Sequence, residues 1–387
     1  MSLGHAESLA RREELDLSVH AIGTRGGGTP WEKIDVDFDP PGPGEVQIRI
    51  AYAGLCHSDE HVRINTDGRY PMIAGHEGSG VVEAVGPAVD RVSVGDHVVL
   101  SFIPACGQCT WCATGNQNLC DQGAMLMHGG RPDGTFRARR EGEEWGQQCC
   151  LGSFAERVVV HQWSCVRIDP DIPLDAAALV GCGVPTGYGA AVNAAGVAAG
   201  DVVVVFGSGG VGINAVQGAA LAGASEVVVV DPVAFKRDFA LKHGATQAFA
   251  TAAEATEYVF GISNGQGAHK SIVVPGTTDS VVAREAFDIL NKNGVEVIVG
   301  QSAGALDESI VLPGTILSFY QRTVKGTLYG GCNPLADIPK LLDLYRRGRI
   351  VVDELITRRY GLDDVEQGYT DMNAGLNIRG LLEINPQ

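Results

Sequence analysis

The sequence predicts an α/β chain in two parts: a mainly β region followed by a doubly wound region built on a parallel sheet. Three observations carry this expectation. At 387 residues the chain is longer than one hydrophobic core usually supports. Short β-like runs separated by Gly/Pro turns occupy residues 17–185. Near Thr186 the texture changes to fully apolar strands alternating with helical segments.

Residues 1–16 are polar and charged, carry a helix-like stretch over 9–15, and read as an appendage. In the first region the spans 46–51, 80–85 and 97–101 read as strands, and PPGPGE at 40–45 as a turn. Then DVVVVFGSGGVGINAVQGAALAGASEVVVVD reads as a buried strand, a Gly-rich turn, a helix of small apolar residues and a second buried strand ending in an acid. Apolar segments at 271–274 and 295–299, the second after a helical stretch at 281–290, extend a doubly wound sheet to about 325. Beyond it come a turn-rich GTLYGGCNP, a helix over 335–347 and a closing strand over 378–384, with 326–387 expected to return to the first domain. No internal repeat occurs, which excludes a solenoid.

Composition narrows the function. Gly is abundant (52 residues) and charged residues are only 19%, which suits a compact enzyme with many tight turns. A net charge of -17 disfavours nucleic acid and anionic lipid, both of which require a positive surface. No apolar run has the length of a membrane span, and MSLGHAESLARREEL has no signal-peptide core, so the expected location is the cytoplasm. There, ten cysteines read better as thiols and metal ligands than as disulfides.

GSGGVG at 207–212 lies between a buried strand and a helix, the context that gives this pattern meaning. Gly207 permits the tight turn, Gly209 lets the backbone approach a pyrophosphate, and Gly212 lets the helix close on the strand; Gly210 and Val211 open the helix, whose N-terminus favours phosphate. Asp231 closes the second strand, where a carboxylate accepts from ribose hydroxyls and repels a 2′-phosphate, favouring NAD over NADP. Lys236 stands within reach of the ribose or of solvent. The competing reading, glycines for helix packing and an ordinary strand-end acid, leaves the complete βαβ context unexplained.

CGQCTWCATGNQNLC places Cys106, Cys109, Cys112 and Cys120 in one short loop that can fold four thiolates around one ion, with no position open for substrate. Disulfides are the alternative. Four-Cys sites also occur in nucleic-acid modules, a reading the acidic balance opposes. A catalytic metal needs three protein ligands and an open position, and Cys56 in AGLCHSDEH, His76 in AGHEGSG and Cys182 in GCGVPTGYG are the candidates. Each alone also suits a buried Cys or core His. Glu77 stands next to His76, where it can approach the metal, and Asp59 can orient the His76 ring; each also suits a structural acid.

Together these motifs resemble the zinc-containing medium-chain alcohol dehydrogenases over nearly the whole chain beyond about residue 17. GHEGSGVVEAVG is similar to that family's zinc signature, GCGVPTGYG to its third-ligand segment, and GSGGVG with Asp231 to its coenzyme site. The resemblance implies a GroES-like catalytic domain (17–185 with 326–387) interrupted by a Rossmann domain (186–325). It implies a catalytic zinc on Cys56, His76 and Cys182 and a structural zinc on Cys106, Cys109, Cys112 and Cys120, two per subunit. It also implies reversible hydride transfer between a primary alcohol or aldehyde and NAD. Ser58 matches the position that bonds the substrate hydroxyl, His61 the end of the proton relay, Phe102 an aromatic pocket wall, and Arg379 a pyrophosphate cation. His57 stands where several members carry an Arg that contacts pyrophosphate.

SFIPACGQCTWCATGNQNLCD and VDPVAFKR look closest to the actinobacterial nicotinoprotein branch, assayed with nitrosodimethylaniline. There NAD stays bound and an external redox acceptor reoxidises it. Class III formaldehyde/glutathione dehydrogenases share much of this frame and form the alternative; a non-catalytic NAD-binding protein is the rival from another class. SIVVPGTT at 271–278 departs from the family's acid-containing strand. A homodimer or homotetramer is expected, with no nucleic-acid or membrane partner. Cys149, Cys150, Cys165 and Cys332 read as buried or half-buried thiols.

Overall fold

The computed structural model describes residues 18–65, 70–126, 128–131, 133–302 and 309–386. The appendage at 1–16 and its helix-like stretch lie outside them. The chain forms two compact units, Met1–Gly181 with Arg358–Asp371 and Gly380–Gln387, and Cys182–Thr357 with Met372–Arg379.

In the first unit, strands Ser18–Thr24, Glu32–Phe38, Ala138–Arg140, Glu143–Gln147 and Met72–Ile73 close a small barrel. A second sheet runs Cys165–Ile168, His97–Leu100, Gly78–Val85, Glu45–Gly54, Arg379–Glu383 and Ile356–Tyr360, with Arg157–His161 also pairing with Glu45–Gly54. The strand expected over 46–51 extends to Glu45–Gly54 because it has partners along its length, and Val46, Ile48 and Ile50 are fully buried. These β-branched residues fit a pleated surface covered on both faces.

The second unit is the doubly wound sheet. Its six strands are all parallel, in the order Gln247–Phe249, Glu226–Val230, Val202–Phe206, Ala268–Val273, Leu290–Ile298 and Thr323–Gly326. The order reverses beside Val202–Phe206, so the turn after that strand stands at the topological switch point, where such sheets bind ligands. The expected 281–290 helix is Ser280–Asp288, started by Asp279, whose carboxylate accepts from the backbone of Val281 and Val282.

One boundary is corrected. Residues 326–357 pack with the second unit rather than returning at 326, and the chain re-enters the first unit at Arg358. The cause is local bonding that the sequence does not display. Gln217, on helix Gly210–Leu221, donates to the Val351 carbonyl at 3.0 Å and accepts from its N–H at 2.6 Å. The Gly330 carbonyl meanwhile lies so close to Gly189 that a Cβ there would stand 2.4 Å away.

The core of the second unit also holds an acid. Glu296 is fully buried on Leu290–Ile298, opposite Ser271 in register, and among the described residues neither carboxylate oxygen has a hydrogen-bond partner. Burial, with Asp288 adding like charge, pushes its carboxyl up to about 8 from the ordinary 4.5. A folded-state pKa above the unfolded one gives stability that is complete below about 4.5 and lost as pH rises through about 8. Glu296→Gln, which cannot ionise, is therefore expected to gain on the wild type by on the order of 4 kcal/mol between pH 5 and pH 8.5, read from urea unfolding at each pH. A pH-independent difference would show that Glu296 does not titrate in this range.

Candidate metal centres and coenzyme turn

The four-cysteine loop is built by local turns. Cys109 caps the short helix Thr110–Ala113, and three backbone N–H groups point at sulfur: Cys106 to Cys120 Sγ (3.5 Å), Cys109 to Cys106 Sγ (3.4 Å) and Cys112 to Cys109 Sγ (3.5 Å). The Sγ atoms of Cys106 and Cys112 are 3.9 Å apart and those of Cys109 and Cys120 4.0 Å, and none of the ten cysteines is in a disulfide. Four thiolates at about 2.3 Å from a tetrahedral zinc stand about 3.8 Å from one another, so the spacing fits that ion and not a disulfide. Backbone donors from Asp121 and Cys112 hold the Cys109 thiol down to about 6, whereas burial pushes Cys120 up to about 12.

The second cluster is assembled from distant segments. Cys56 stands two residues beyond strand Glu45–Gly54 and caps helix His57–Ile64; Asp59, three residues on, accepts the Cys56 N–H at 3.0 Å. His76 follows Gly75, whose φ of +92° and contacts exclude a side chain: a Cβ would lie 2.4 Å from Phe154 and 2.8 Å from its backbone N. Cys182 caps helix Gly183–Gly189. The ligand atoms of Cys56, His76, Glu77 and Cys182 all lie within 4.8 Å of one another. Two sulfurs, one imidazole and a carboxylate are a zinc donor set.

Partners around His76 orient its ring. His76 Nδ1 lies 2.7 Å from Asp59 Oδ1, which leaves Nε2 for a metal. Gln148 Nε2 stands 3.3 Å from the same Nδ1, and the shorter contact to a carboxylate decides in favour of Nδ1–H donating to Asp59. Phe102 is half-buried and meets the His76 ring edge-on, with centroids 5.7 Å apart. Ser58 and His61 lie three apart on helix His57–Ile64, both half-buried, as is His57. Burial pushes the Cys149 thiol up to about 12 against the pull of His76, and Cys150, Cys165 and Cys332 to about 11, 12 and 12, so all four are poor nucleophiles.

At the coenzyme turn, Gly207 has φ +93°, and a Cβ on Gly212 would lie 1.9 Å from the Gly207 carbonyl oxygen, so helix Gly210–Leu221 closes on the turn only with glycine. A Cβ on Gly209 would meet nothing within 4 Å, which leaves its face open to a ligand at the helix N-terminus. The Val211 carbonyl packs on Gly187, and the Arg379 side chain lies over Gly210, where a Cβ would stand 2.0 Å from its Cδ. Asp231 is buried; its carboxylate accepts from the N–H and hydroxyl of Ser208 (2.8 and 3.0 Å) and from Val233 N–H (2.9 Å). Arg237, not Lys236, folds back on this strand end, donating to the Asp231 carbonyl at 2.7 Å. Lys236 lies beside Gly375. Sequence reasoning missed Gln148 and Tyr369, which belong to no motif, and the hydrogen bonds of Ser208 and Arg237, which lie within GSGGVG and VDPVAFKR.

Two known domain families match the chain. The alcohol dehydrogenase GroES-like domain matches residues 42–170 and the zinc-binding dehydrogenase domain residues 210–347. The chain is 50% identical to an NDMA-dependent alcohol dehydrogenase of Amycolatopsis methanolica, over 95% of this chain and 99% of that one. Identity to an S-(hydroxymethyl)glutathione dehydrogenase of Komagataella pastoris is lower, 36% over 91% of this chain and 93% of the other. Among solved structures, benzyl alcohol dehydrogenase from Acinetobacter calcoaceticus superposes with a TM-score of 0.87 at 28% identity, covering 95% and 99% of the two chains. Both domains, both cysteine-bearing sites and the coenzyme turn thus lead to one conclusion: the chain belongs to the zinc-dependent medium-chain alcohol dehydrogenases.

Proposed function

We propose that this enzyme oxidises primary alcohols to aldehydes, reversibly, with NAD that stays bound through turnover and is reoxidised in place by an external acceptor. The observation that carries the reading is the convergence of Cys56, His76 and Cys182, with Glu77, in a chain half identical to an NDMA-dependent enzyme. The lower identity to the glutathione-linked relative makes the class III alternative the weaker one.

Cys56, His76 and Cys182 would hold the catalytic zinc, with Glu77 close enough to enter when its coordination changes, and Cys106, Cys109, Cys112 and Cys120 the structural zinc. Bound there, the catalytic metal supplies Lewis acidity that makes an alcohol proton labile near neutral pH, and NAD supplies the hydride acceptor. Ser58 receives that proton while passing on its own, and His61 delivers it to solvent. Phe102 walls the substrate pocket and excludes water. The 207–212 turn with Arg379 would hold the pyrophosphate, a role the resemblance also gives to the position of His57, and Asp231, aided by Lys236, would take the adenosine ribose.

Ten cysteines with no disulfide among them suit a reducing, cytoplasmic setting. Among the described residues no helix is long and apolar enough to cross a membrane. Strand Thr323–Gly326 stands last in its sheet, and Val311 and Phe319, which precede it in the chain, are 67% and 80% exposed, which supports pairing of copies into a homodimer or homotetramer.

Native mass spectrometry of dialysed protein with metal analysis is expected to show two zincs and one NAD per subunit; two zincs without NAD would point to exchangeable coenzyme, and no zinc would remove the chemistry. Ser58→Ala should lower turnover by about 100-fold or more with zinc content unchanged, and normal turnover would take Ser58 out of the relay. Cys56→Ser should abolish turnover and cost one zinc while leaving the melting temperature near that of the wild type. Cys106→Ser should cost the other zinc and lower the melting temperature, and the reverse pattern would exchange the roles of the two sites.

A further inference from the structure

Asp59 is fully buried, and its carboxylate serves three donors from three places in the chain. Oδ1 faces His76 Nδ1 at 2.7 Å, and Oδ2 accepts both the Cys56 N–H at 3.0 Å and the Tyr369 hydroxyl at 2.7 Å. Tyr369 lies 310 residues further along the chain, on helix Val365–Asn373, and is itself buried. Its position is set independently of that hydrogen bond. The Trp31 ring stacks on it with centroids 5.0 Å apart, and the Trp31 backbone N–H donates to Glu366 of the same helix at 3.4 Å. Gly368 approaches Leu55 so closely that a Cβ would lie 2.5 Å from Leu55 Cδ1, which fixes the helix against the residue preceding Cys56.

A buried carboxylate that loses a donor rotates to find another, and Asp59 cannot rotate without releasing His76 or the Cys56 N–H. We propose that Tyr369 is a positioning residue for the His76 centre: its hydroxyl fixes the Asp59 carboxylate and, through it, the imidazole that faces the metal. The inference rests on the zinc reading above. Tyr369→Phe keeps the ring stacked on Trp31 and removes only the hydroxyl.

The test is zinc release from the zinc-loaded enzyme to excess chelator, with the two sites assigned from Cys56→Ser and Cys106→Ser. Tyr369→Phe is expected to speed release from the His76 centre about tenfold, to leave the four-cysteine site at the wild-type rate, and to add nothing in an Asp59→Ala background. Unchanged release would overturn the proposal. So would equal acceleration at both sites, which marks general loosening, or further acceleration in the Asp59→Ala background, which marks a route that bypasses Asp59. A wild type that holds no zinc lost in Cys56→Ser would overturn the zinc reading and this inference with it.

Discussion

The hydrogen bond between Asp59 and His76 is the constraint on which the site depends. It forces one carboxylate, buried from solvent, to satisfy the start of helix His57–Ile64, the ring that follows Gly75 and a hydroxyl from the C-terminal segment. A buried anion is costly unless its lone pairs are filled, so these segments are held to one geometry by a common requirement. Helix capping and ring orientation thereby become one event. Cys56 and His76 face the same point because Asp59 is bonded to both residues.

The two cysteine-bearing sites solve different problems. Cys106, Cys109, Cys112 and Cys120 meet through short turns within one loop, and N–H groups of that loop already point at their sulfurs, so little long-range order is needed to bring them together. The His76 centre draws its members from a strand end, a post-glycine turn and a helix cap, and it is correct only when the barrel and sheet around it are correct.

The second unit follows a simpler rule. Parallel strands covered on both faces read as runs of valine, and Val203, Val204 and Val205 are all fully buried. The close approach of Gly212 to the Gly207 carbonyl brings the helix onto the turn and leaves Gly209 open beside its N-terminus. Glu296 breaks the apolar pattern on Leu290–Ile298, separated from the valine strand by Ala268–Val273, and the surrounding core keeps its carboxyl largely protonated near neutral pH.

The doubly wound sheet, the Gly-rich turn and the four-cysteine loop were legible in the sequence because each is written in periodicity or in short spacing, whereas Cys56, His76 and Cys182 stood out only as candidates from their local context and the family resemblance. Asp59 and Glu77 were legible as neighbours of those candidates. Tertiary structure alone decided what has no local signature. Tyr369 reaches Asp59 across 310 residues, Gln148 stands against His76, Arg237 rather than Lys236 closes on the Asp231 strand end, and Gln217 retains the segment around Val351 in the second unit. These are hydrogen bonds made by single polar side chains to whatever the packed elements bring within about 3 Å, and no pattern of residue types along the chain encodes that proximity.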